Sequence, residues 1–245
     1  MHLSKHFGGL ACVVLLACLA HASSAGAVVP GQIDTFEDGT TQNWVINLLG
    51  LGSPPPEAMP ANIPTGGPAG VDDNYLRLTS IGTEQAGGRL VVINATQWTG
   101  NYLAAGISAL TMQVNNLGST ELHLRLLFAD PVTGPPTNEA ISSRAVVVPA
   151  GSGWLPVTFP IAQSDLTAVA GSTAAALTNT TEVRIFHSVT TVFPPNPLAA
   201  SLGVDNIQAV PEPSTVLMLG AALTASRIFR KRAPDNPAMN IRLFG

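Results

Sequence analysis

Few residues in this 245-residue chain could carry out acid–base or nucleophilic chemistry. Between residues 28 and 210 there is no cysteine, and the histidines in that range are His123 and His187. A serine hydrolase needs a histidine base beside its serine, but the sequence contains neither a G-x-S-x-G nor an H-E-x-x-H pattern. His123 alternates with Glu121 and Arg125, which is typical of a solvated strand face. We therefore predict that the protein is not an enzyme.

Carboxylates are common in the chain, and they leave one enzymatic alternative open. A glycosidase uses two carboxyl groups about 5–10 Å apart, one of them with a raised pKa. Thirteen acidic side chains lie between residues 28 and 210, so some pair at that spacing is expected from the number alone. The count selects no catalytic pair, and a secreted hydrolase acting on exopolysaccharide stays an alternative.

Stacking on a sugar ring requires exposed aromatic side chains, for which the candidates are Trp44, Tyr75, Trp98, Tyr102 and Trp154. Trp98 and Tyr102 lie in a polar connection that contains glycine, so we predict that they are exposed and are the better ligand-binding candidates. Trp44 and Trp154 lie at strand ends in the motifs described below, where such residues more often belong to the core. Aromatic residues make up 5% of the chain, which argues against an extensive stacking surface.

The elements that must position these residues are predicted to be β-strands. In the segment 121–128, Leu122, Leu124 and Leu126 alternate with polar residues, as one face of a half-buried strand requires. Glycine- and proline-rich turns separate the segments, and one short helix is predicted over residues 165–169. The pattern predicts an all-β fold, an antiparallel β-sandwich. The segments with a strand pattern are 74–80, 89–94, 107–115, 121–128, 143–148, 154–159, 182–189 and 203–210.

The net charge of the predicted domain, residues 28–210, limits the classes of ligand that it could bind. Thirteen acidic residues, five arginines and no lysine give it a net charge of −8. An acidic exterior without lysine argues against binding to nucleic acid or to anionic lipid head groups. It is compatible with divalent cations and with uncharged glycans.

The amino-terminal segment, residues 1–27, has the pattern of a signal peptide. Lys5 precedes an apolar run over residues 10–19, and small residues in A-x-A spacing follow, so we predict cleavage after Ala27 by signal peptidase. Residues 15–18 also resemble a lipoprotein cleavage box, although Leu16 fits it poorly. Both cysteines of the chain lie within the segment that would be removed, so the exported protein is predicted to have no thiol.

The carboxyl-terminal segment combines three features. Pro211, Glu212 and Pro213 are followed by an apolar run over 215–225 and then by a basic cluster. The cluster consists of Arg227, Arg230, Lys231 and Arg232. The basic end would stay on the cytoplasmic side of a membrane, although a buried amphipathic helix is an alternative to a membrane anchor. The three-part pattern resembles the PEP-CTERM sorting domain, which in that family is processed by a membrane-embedded exosortase. The final residues, 233–245, are predicted to be a disordered tail.

Two further patterns lie at the ends of the predicted domain. Residues 33–44 follow a D-x-F-E-x-G-x-x-x-x-W arrangement, residues 151–160 form a glycine-rich start to a strand, and residues 202–207 carry Asp205. Together they resemble jelly-roll carbohydrate-binding modules. The resemblance implies that the first and last strands lie side by side and that a structural calcium ion binds near them.

That resemblance selects the metal candidates Glu37, Asp205 and Asp34. Calcium takes six to eight oxygen ligands from carboxylates and carbonyls, and adjacent terminal strands would bring Glu37 and Asp205 together. The alternative is that Asp34 and Asp38 only stabilise turns.

Taken together, the sequence predicts an exported, non-catalytic protein. It would be held transiently at the inner membrane and then reach the cell surface or the extracellular matrix. Its β-sandwich would serve adhesion or association with extracellular polysaccharide. There are two alternatives to this interpretation: a secreted hydrolase acting on exopolysaccharide, and a purely structural matrix protein without a ligand.

Overall fold

The computed structural model describes residues 27–47, 50–131 and 134–213, and these residues form an all-β protein. They contain thirteen strands and one α-helix, α1 (Thr173–Thr178). The strands are β1 (Ile33–Asp34), β2 (Val45–Ile46), β3 (Ala61–Ile63), β4 (Tyr75–Ile81), β5 (Val91–Asn94), β6 (Ile107–Asn116), β7 (Leu122–Ala129), β8 (Glu139–Ser142), β9 (Val146–Val148), β10 (Trp154–Pro160), β11 (Leu166–Ala170), β12 (Glu182–His187) and β13 (Ala199–Pro211).

The strands form two antiparallel sheets that pack as a jelly-roll-like sandwich. Sheet I has the order β10-β6-β13-β4-β3, with β1 paired to β13. Sheet II has the order β11-β8-β7-β12-β5-β2, with β9 paired to β7. The predicted antiparallel β-sandwich is therefore confirmed.

The first and last strands of the described domain are neighbours. Ile33 lies opposite Gln208 and Asp34 lies opposite Ile207 in an antiparallel register. Beyond β1, strand β13 also pairs with β4 on one side and with β6 on the other, so it lies in the middle of sheet I. The adjacency that the jelly-roll resemblance implied is present in the structure.

The core lies between the two sheets and follows the predicted alternation. Leu122, Leu124 and Leu126 of β7 are fully buried and face Leu78 and Val204 of sheet I within one cluster. Burial of each such side chain is worth about 1.5–3 kcal/mol relative to exposure. On the opposite side of β7, Leu127 and Ala129 are buried as well, in a second apolar cluster. Arg125 on that side is also buried, so the solvated face predicted for β7 is only partly present.

The helix predicted over residues 165–169 is wrong. Residues 166–170 form β11, which pairs with β8, and the helix begins later, with Ser172 as its N-cap accepting a hydrogen bond from the backbone N–H of Ala175. Thr167 and Val169 are β-branched and fit a strand once β8 offers its free edge. β8 itself was not predicted, so its partner could not be either.

The features predicted at both ends of the chain lie mostly outside the described residues. These are the predicted signal peptide up to residue 26, the apolar run, the basic cluster of Arg227, Arg230, Lys231 and Arg232, and the tail 233–245. Within the described ranges, no helix is long and apolar enough to cross a membrane.

Candidate functional site

The outer face of sheet I carries two aromatic side chains, Trp154 and Tyr75, that are both partly exposed. Their ring centroids are 5.3 Å apart with the planes at 78°, an edge-to-face contact. The pair meets above Gly203 of β13, where an added Cβ would lie 2.9 Å from Cη2 of Trp154 and 3.3 Å from Cδ2 of Tyr75. The absence of a side chain at Gly203 therefore allows both rings to lie across the middle of the sheet. The expectation that Trp154 belongs to the core is wrong.

Polar side chains without protein partners lie beside this aromatic pair. Asn115 is in register with Trp154, and Gln113 is in register with both Pro156 and Asp205. The side-chain amides of Gln113, Asn115 and Gln208 have no hydrogen-bond partner within the described part of the chain. A groove of about 200 Å³ runs beside two of them, Gln113 and Gln208; its other lining residues are Thr111, Met112, Pro156, Val157, Thr158 and Asn206. We call Trp154, Tyr75 and these polar residues the aromatic–amide face.

A loop between β3 and β4 holds Trp154 in place. The indole Nε1 of Trp154 donates a hydrogen bond of 2.9 Å to the backbone carbonyl of Gly66. The loop is closed by the backbone N–H of Gly67, which donates to the carbonyl of Asp73 at 2.9 Å, and by the N–H of Ala69, which donates to the Asp73 carboxylate. The orientation of Trp154 thus depends on a loop whose conformation is fixed by Asp73.

A buried carboxylate, Asp205 of β13, lies on the same face within electrostatic reach of Asp73 and Glu37. Asp205 is 1% exposed, and its carboxylate accepts hydrogen bonds from the backbone N–H and the side-chain amide of Asn206. Burial raises the pKa of Asp205 to about 7, and the negative charges of Asp73 and Glu37 add to that rise. Glu37 also accepts a hydrogen bond from the backbone N–H of Asn74. A carboxylate in these surroundings is stabilised by a proton or by a cation.

Stability without calcium is expected to fall as the pH rises through neutrality. The folded state holds the Asp205 proton more tightly than the unfolded chain does, so this contribution is complete below the ordinary aspartate pKa and is lost as the pH passes about 7. We expect the variant Asp205→Asn to reduce the difference in unfolding free energy between pH 5 and pH 8 by about 2 kcal/mol, after allowance for solvent screening. Urea unfolding in the presence of a chelator measures this, and an unchanged pH profile in the variant would contradict it.

Of the three predicted metal ligands, the structure brings two into the same neighbourhood. Glu37 and Asp205 are close enough to affect each other electrostatically. Asp34 has a different role, because its Oδ2 accepts hydrogen bonds from Trp44 Nε1 at 2.8 Å and from Trp98 Nε1 at 2.7 Å. Among the described residues, no three acidic or histidine side chains form a group that could hold a metal ion.

The prediction that Trp98 and Tyr102 are exposed ligand-binding residues is wrong. Both are 0% exposed and belong to the main core cluster. The indole of Trp98 points to Asp34, and the hydroxyl of Tyr102 donates to the carbonyl of Trp98 at 2.8 Å. Tyr102 also packs edge-to-face on Phe128 of β7. Their polar atoms are satisfied inside the protein, which is why a polar-looking connection can be buried.

The two histidines lie at neighbouring ends of the central strands β7 and β12 of sheet II. His123 Nε2 is 3.2 Å from Glu121 Oε1, and His187 Nδ1 accepts a hydrogen bond of 2.9 Å from the backbone N–H of His123. Burial lowers the pKa of His187, and the neighbouring His123 lowers it further. One ring nitrogen of His187 is thus occupied by the backbone, which fits a structural position.

A buried ionic cluster on the outer face of sheet II was missed by the sequence argument. Arg184 contacts Glu182, and its Nη1 lies 3.8 Å from Glu139 Oε2. Phe193 covers the cluster, with its ring centroid 4.4 Å from Cζ of Arg184. Burial raises the pKa of Glu182 and Glu139, while Arg184 opposes that rise. The residues come from strands 43 positions apart in sequence, so spacing alone could not have found them.

Comparison with known proteins supports the fold. No family model matches the chain, and no curated protein matches it. An exo-β-agarase structure superposes with a TM-score of 0.51 at 12% identity, covering 75% of this chain and 26% of that one. The chain therefore spans about a quarter of the agarase.

Carbohydrate-binding modules of family 11 are also similar in structure. CtCBM11 gives a TM-score of 0.49 at 14% identity, covering 78% of this chain and 98% of the module. A family 11 module from Clostridium thermocellum, in complex with a β-1,3-1,4-mixed-linked tetrasaccharide, gives a TM-score of 0.46 at 13% identity. The superposition covers 75% of this chain and 97% of that module. At these identities the likeness concerns the fold alone.

Proposed function

We propose that this protein is a non-catalytic module that binds extracellular polysaccharide through the aromatic–amide face. The observation that carries the proposal is the partly exposed pair of Trp154 and Tyr75 beside amide groups that have no partner within the described residues. Aromatic rings bury the apolar face of a sugar, and free amides and hydroxyls form hydrogen bonds with its hydroxyl groups. Both components of a sugar site are thus present on one surface.

The dimensions of the face suit a chain of sugars rather than a single one. Neighbouring strands are about 4.8 Å apart, so the distance from β10 to β4 across three strand gaps is about 14 Å. Trp154 and Tyr75 cover one part of this span and the groove beside Gln113 and Gln208 continues from it. The family 11 module named above binds a tetrasaccharide, but the proposal for this chain depends on its own surface.

The test is a screen of the full-length chain against neutral and acidic polysaccharides, by glycan array and by retardation in polysaccharide-containing gels. We expect retention by at least one soluble polymer. Absence of binding to every class would contradict the proposal and favour a structural matrix protein without a ligand. Release of new reducing ends during the same incubation would instead favour the hydrolase.

We further propose that calcium binds between Glu37 and Asp205. What supports it is a nearly fully buried carboxylate that lies beside two other negative charges and accepts hydrogen bonds from Asn206. Since no group of three acidic or histidine ligands is present among the described residues, carbonyl oxygens and water would have to complete the shell. When bound, the ion would neutralise Asp205 and fix the segment that follows β1 relative to β13.

Calcium is expected to raise the melting temperature of the wild-type protein. Calcium at 100 times its dissociation constant adds about 2.7 kcal/mol to the free energy of unfolding, and Asp205→Asn should remove most of that gain. Thermal unfolding at pH 8 with millimolar calcium or with chelator measures the effect, with magnesium as the control ion. Equal melting temperatures in calcium and in chelator would reject the site.

We also propose that residues 1–27 direct export and that residues 211–232 act as a sorting signal for an exosortase. Pro211 lies in β13 opposite Ile107, and the backbone N–H of Glu212 donates to the carbonyl of Gly106. A deletion that spares the fold should therefore begin at residue 214. Fractionation of cells that express the intact chain or this deletion tests the signal, and an identical distribution of the two would reject it.

A further inference from the structure

The arginines of the domain differ in what they contact. Arg89 pairs with Glu84, and Arg184 with Glu182 and Glu139. Arg125 is buried and donates to the backbone carbonyls of Ser142 and Ser188. The two that remain, Arg77 and Arg144, are exposed, and their guanidinium groups have no ion pair or hydrogen bond within the described residues.

Arg77 lies beside the aromatic pair. It belongs to β4, two residues after Tyr75, so both side chains project from the same face of sheet I. Its partners in register are Gly203 of β13 and Ala61 of β3. Gly203 is the residue above which Trp154 and Tyr75 meet, so the Arg77 backbone is one strand spacing, about 5 Å, from the point under the two rings.

The small neighbours of Arg77 leave its guanidinium free. Gly203 has no side chain and Ala61 has only a methyl group, and neither can pair with a cation. The carboxylates nearest to this face, Asp73, Glu37 and Asp205, lie at the Tyr75 end of β4 or beyond it. Arg77 lies two residues from that end, about 7 Å along the strand, and it forms no ion pair with any of these carboxylates among the described residues.

We propose that Arg77 makes the aromatic–amide face selective for acidic polysaccharide, by binding an oxyanion group of a sugar that lies next to the ring stacked on Trp154. The proposal rests on the proposed carbohydrate-binding function and names its ligand class. A guanidinium forms paired hydrogen bonds with a carboxylate or a sulfate ester. The net charge of −8 for residues 28–210 favours uncharged glycans. That net charge is a sum over the whole domain, however, and the surface around Arg77 carries an unpaired positive charge.

The experiment measures affinity of the full-length chain for four polymers in gels and by calorimetry. Polygalacturonate carries carboxylates, dextran sulfate carries sulfate esters, and dextran and a mixed-linked β-glucan are neutral. We expect Arg77→Gln to weaken binding to the preferred charged polymer about 10- to 100-fold, since hydrogen bonds to a charged group are worth about 1.5–3 kcal/mol. Affinity for any neutral polymer should change less than about twofold, and Arg77→Lys should restore only part of the loss.

The matched control is Arg144→Gln, which removes the other exposed and unpaired arginine from the β8–β9 connection. It should leave all affinities unchanged. Equal losses in Arg77→Gln and Arg144→Gln would show non-specific attraction and overturn the inference. Stronger binding to neutral polymers, unaffected by Arg77→Gln, would overturn it while the proposed function stands. No binding to any polymer by the wild type would reject both.

Discussion

Replacing Asp34 by alanine is expected to destabilise the protein by about 3–5 kcal/mol. Its Oδ2 accepts hydrogen bonds from the indole N–H groups of Trp44 and Trp98 and from the amide of Gln97. Both indoles are almost completely buried, so their N–H groups depend on this acceptor inside the protein. Each donor left without a partner inside the protein costs about 1–3 kcal/mol. Urea unfolding followed by tryptophan fluorescence measures the loss.

Two variants separate this effect from a general sensitivity of the region. Asp34→Asn retains an oxygen that can accept the same bonds without burying a charge, so its loss should be well below that of alanine. Asp38→Ala removes an exposed carboxylate from the same segment, where it accepts a hydrogen bond from the backbone N–H of Thr40, and its loss of stability should be far smaller than that of Asp34→Ala. A loss in Asp38→Ala that equals the loss in Asp34→Ala would contradict the role given to the two indoles.

Replacing Trp154 by alanine is expected to weaken polysaccharide binding by about 30-fold, which corresponds to about 2 kcal/mol. The side chain is the larger half of the aromatic pair on sheet I and contacts Tyr75. Because Trp154 lies on the outer face and outside the main core cluster, the fold should change little. Calorimetry with the polymer most strongly retained in the screen measures the affinity.

The same surface offers a second variant that leaves Trp154 in place. Gly203→Ala adds a methyl group 2.9 Å from the Trp154 ring, so it should separate the two rings and weaken binding as well. Val147→Ala, an exposed position on sheet II, is the matched control and should bind like the wild type. Wild-type affinity in both Trp154→Ala and Gly203→Ala would show that another surface holds the sugar.

The longer strands could be predicted because their pattern is local. β6 and β7 alternate apolar and polar residues over enough positions to define a face, and their predicted limits agree with the structure within a residue or two. β1 and β2 have two residues each, which is too few for an alternation to be recognised. Such strands are defined by the partner that they pair with, and that partner is distant in sequence.

The candidate site was predicted less well than the fold. Trp98 and Tyr102 were assigned to the surface because their neighbours in sequence are polar, whereas burial was decided by Asp34, which is 64 positions from Trp98. Trp154 was assigned to the core because it begins a strand. Its exposure follows from its place on the edge strand β10 and from the space above Gly203. Both wrong predictions concern side chains whose burial depends on contacts with segments distant in sequence, and a local sequence pattern carries no information about such contacts.

Because β13 joins β1, β4 and β6 in the centre of sheet I, the sandwich cannot be completed until its final strand has been delivered. A chain that emerged from a translocation channel amino end first would hold half of its sheet open until about residue 211 was through. Pro211, Glu212 and Pro213 come at that same point in the sequence. Shortened products that lack β13 should therefore be cleared by proteases rather than accumulate as a smaller module.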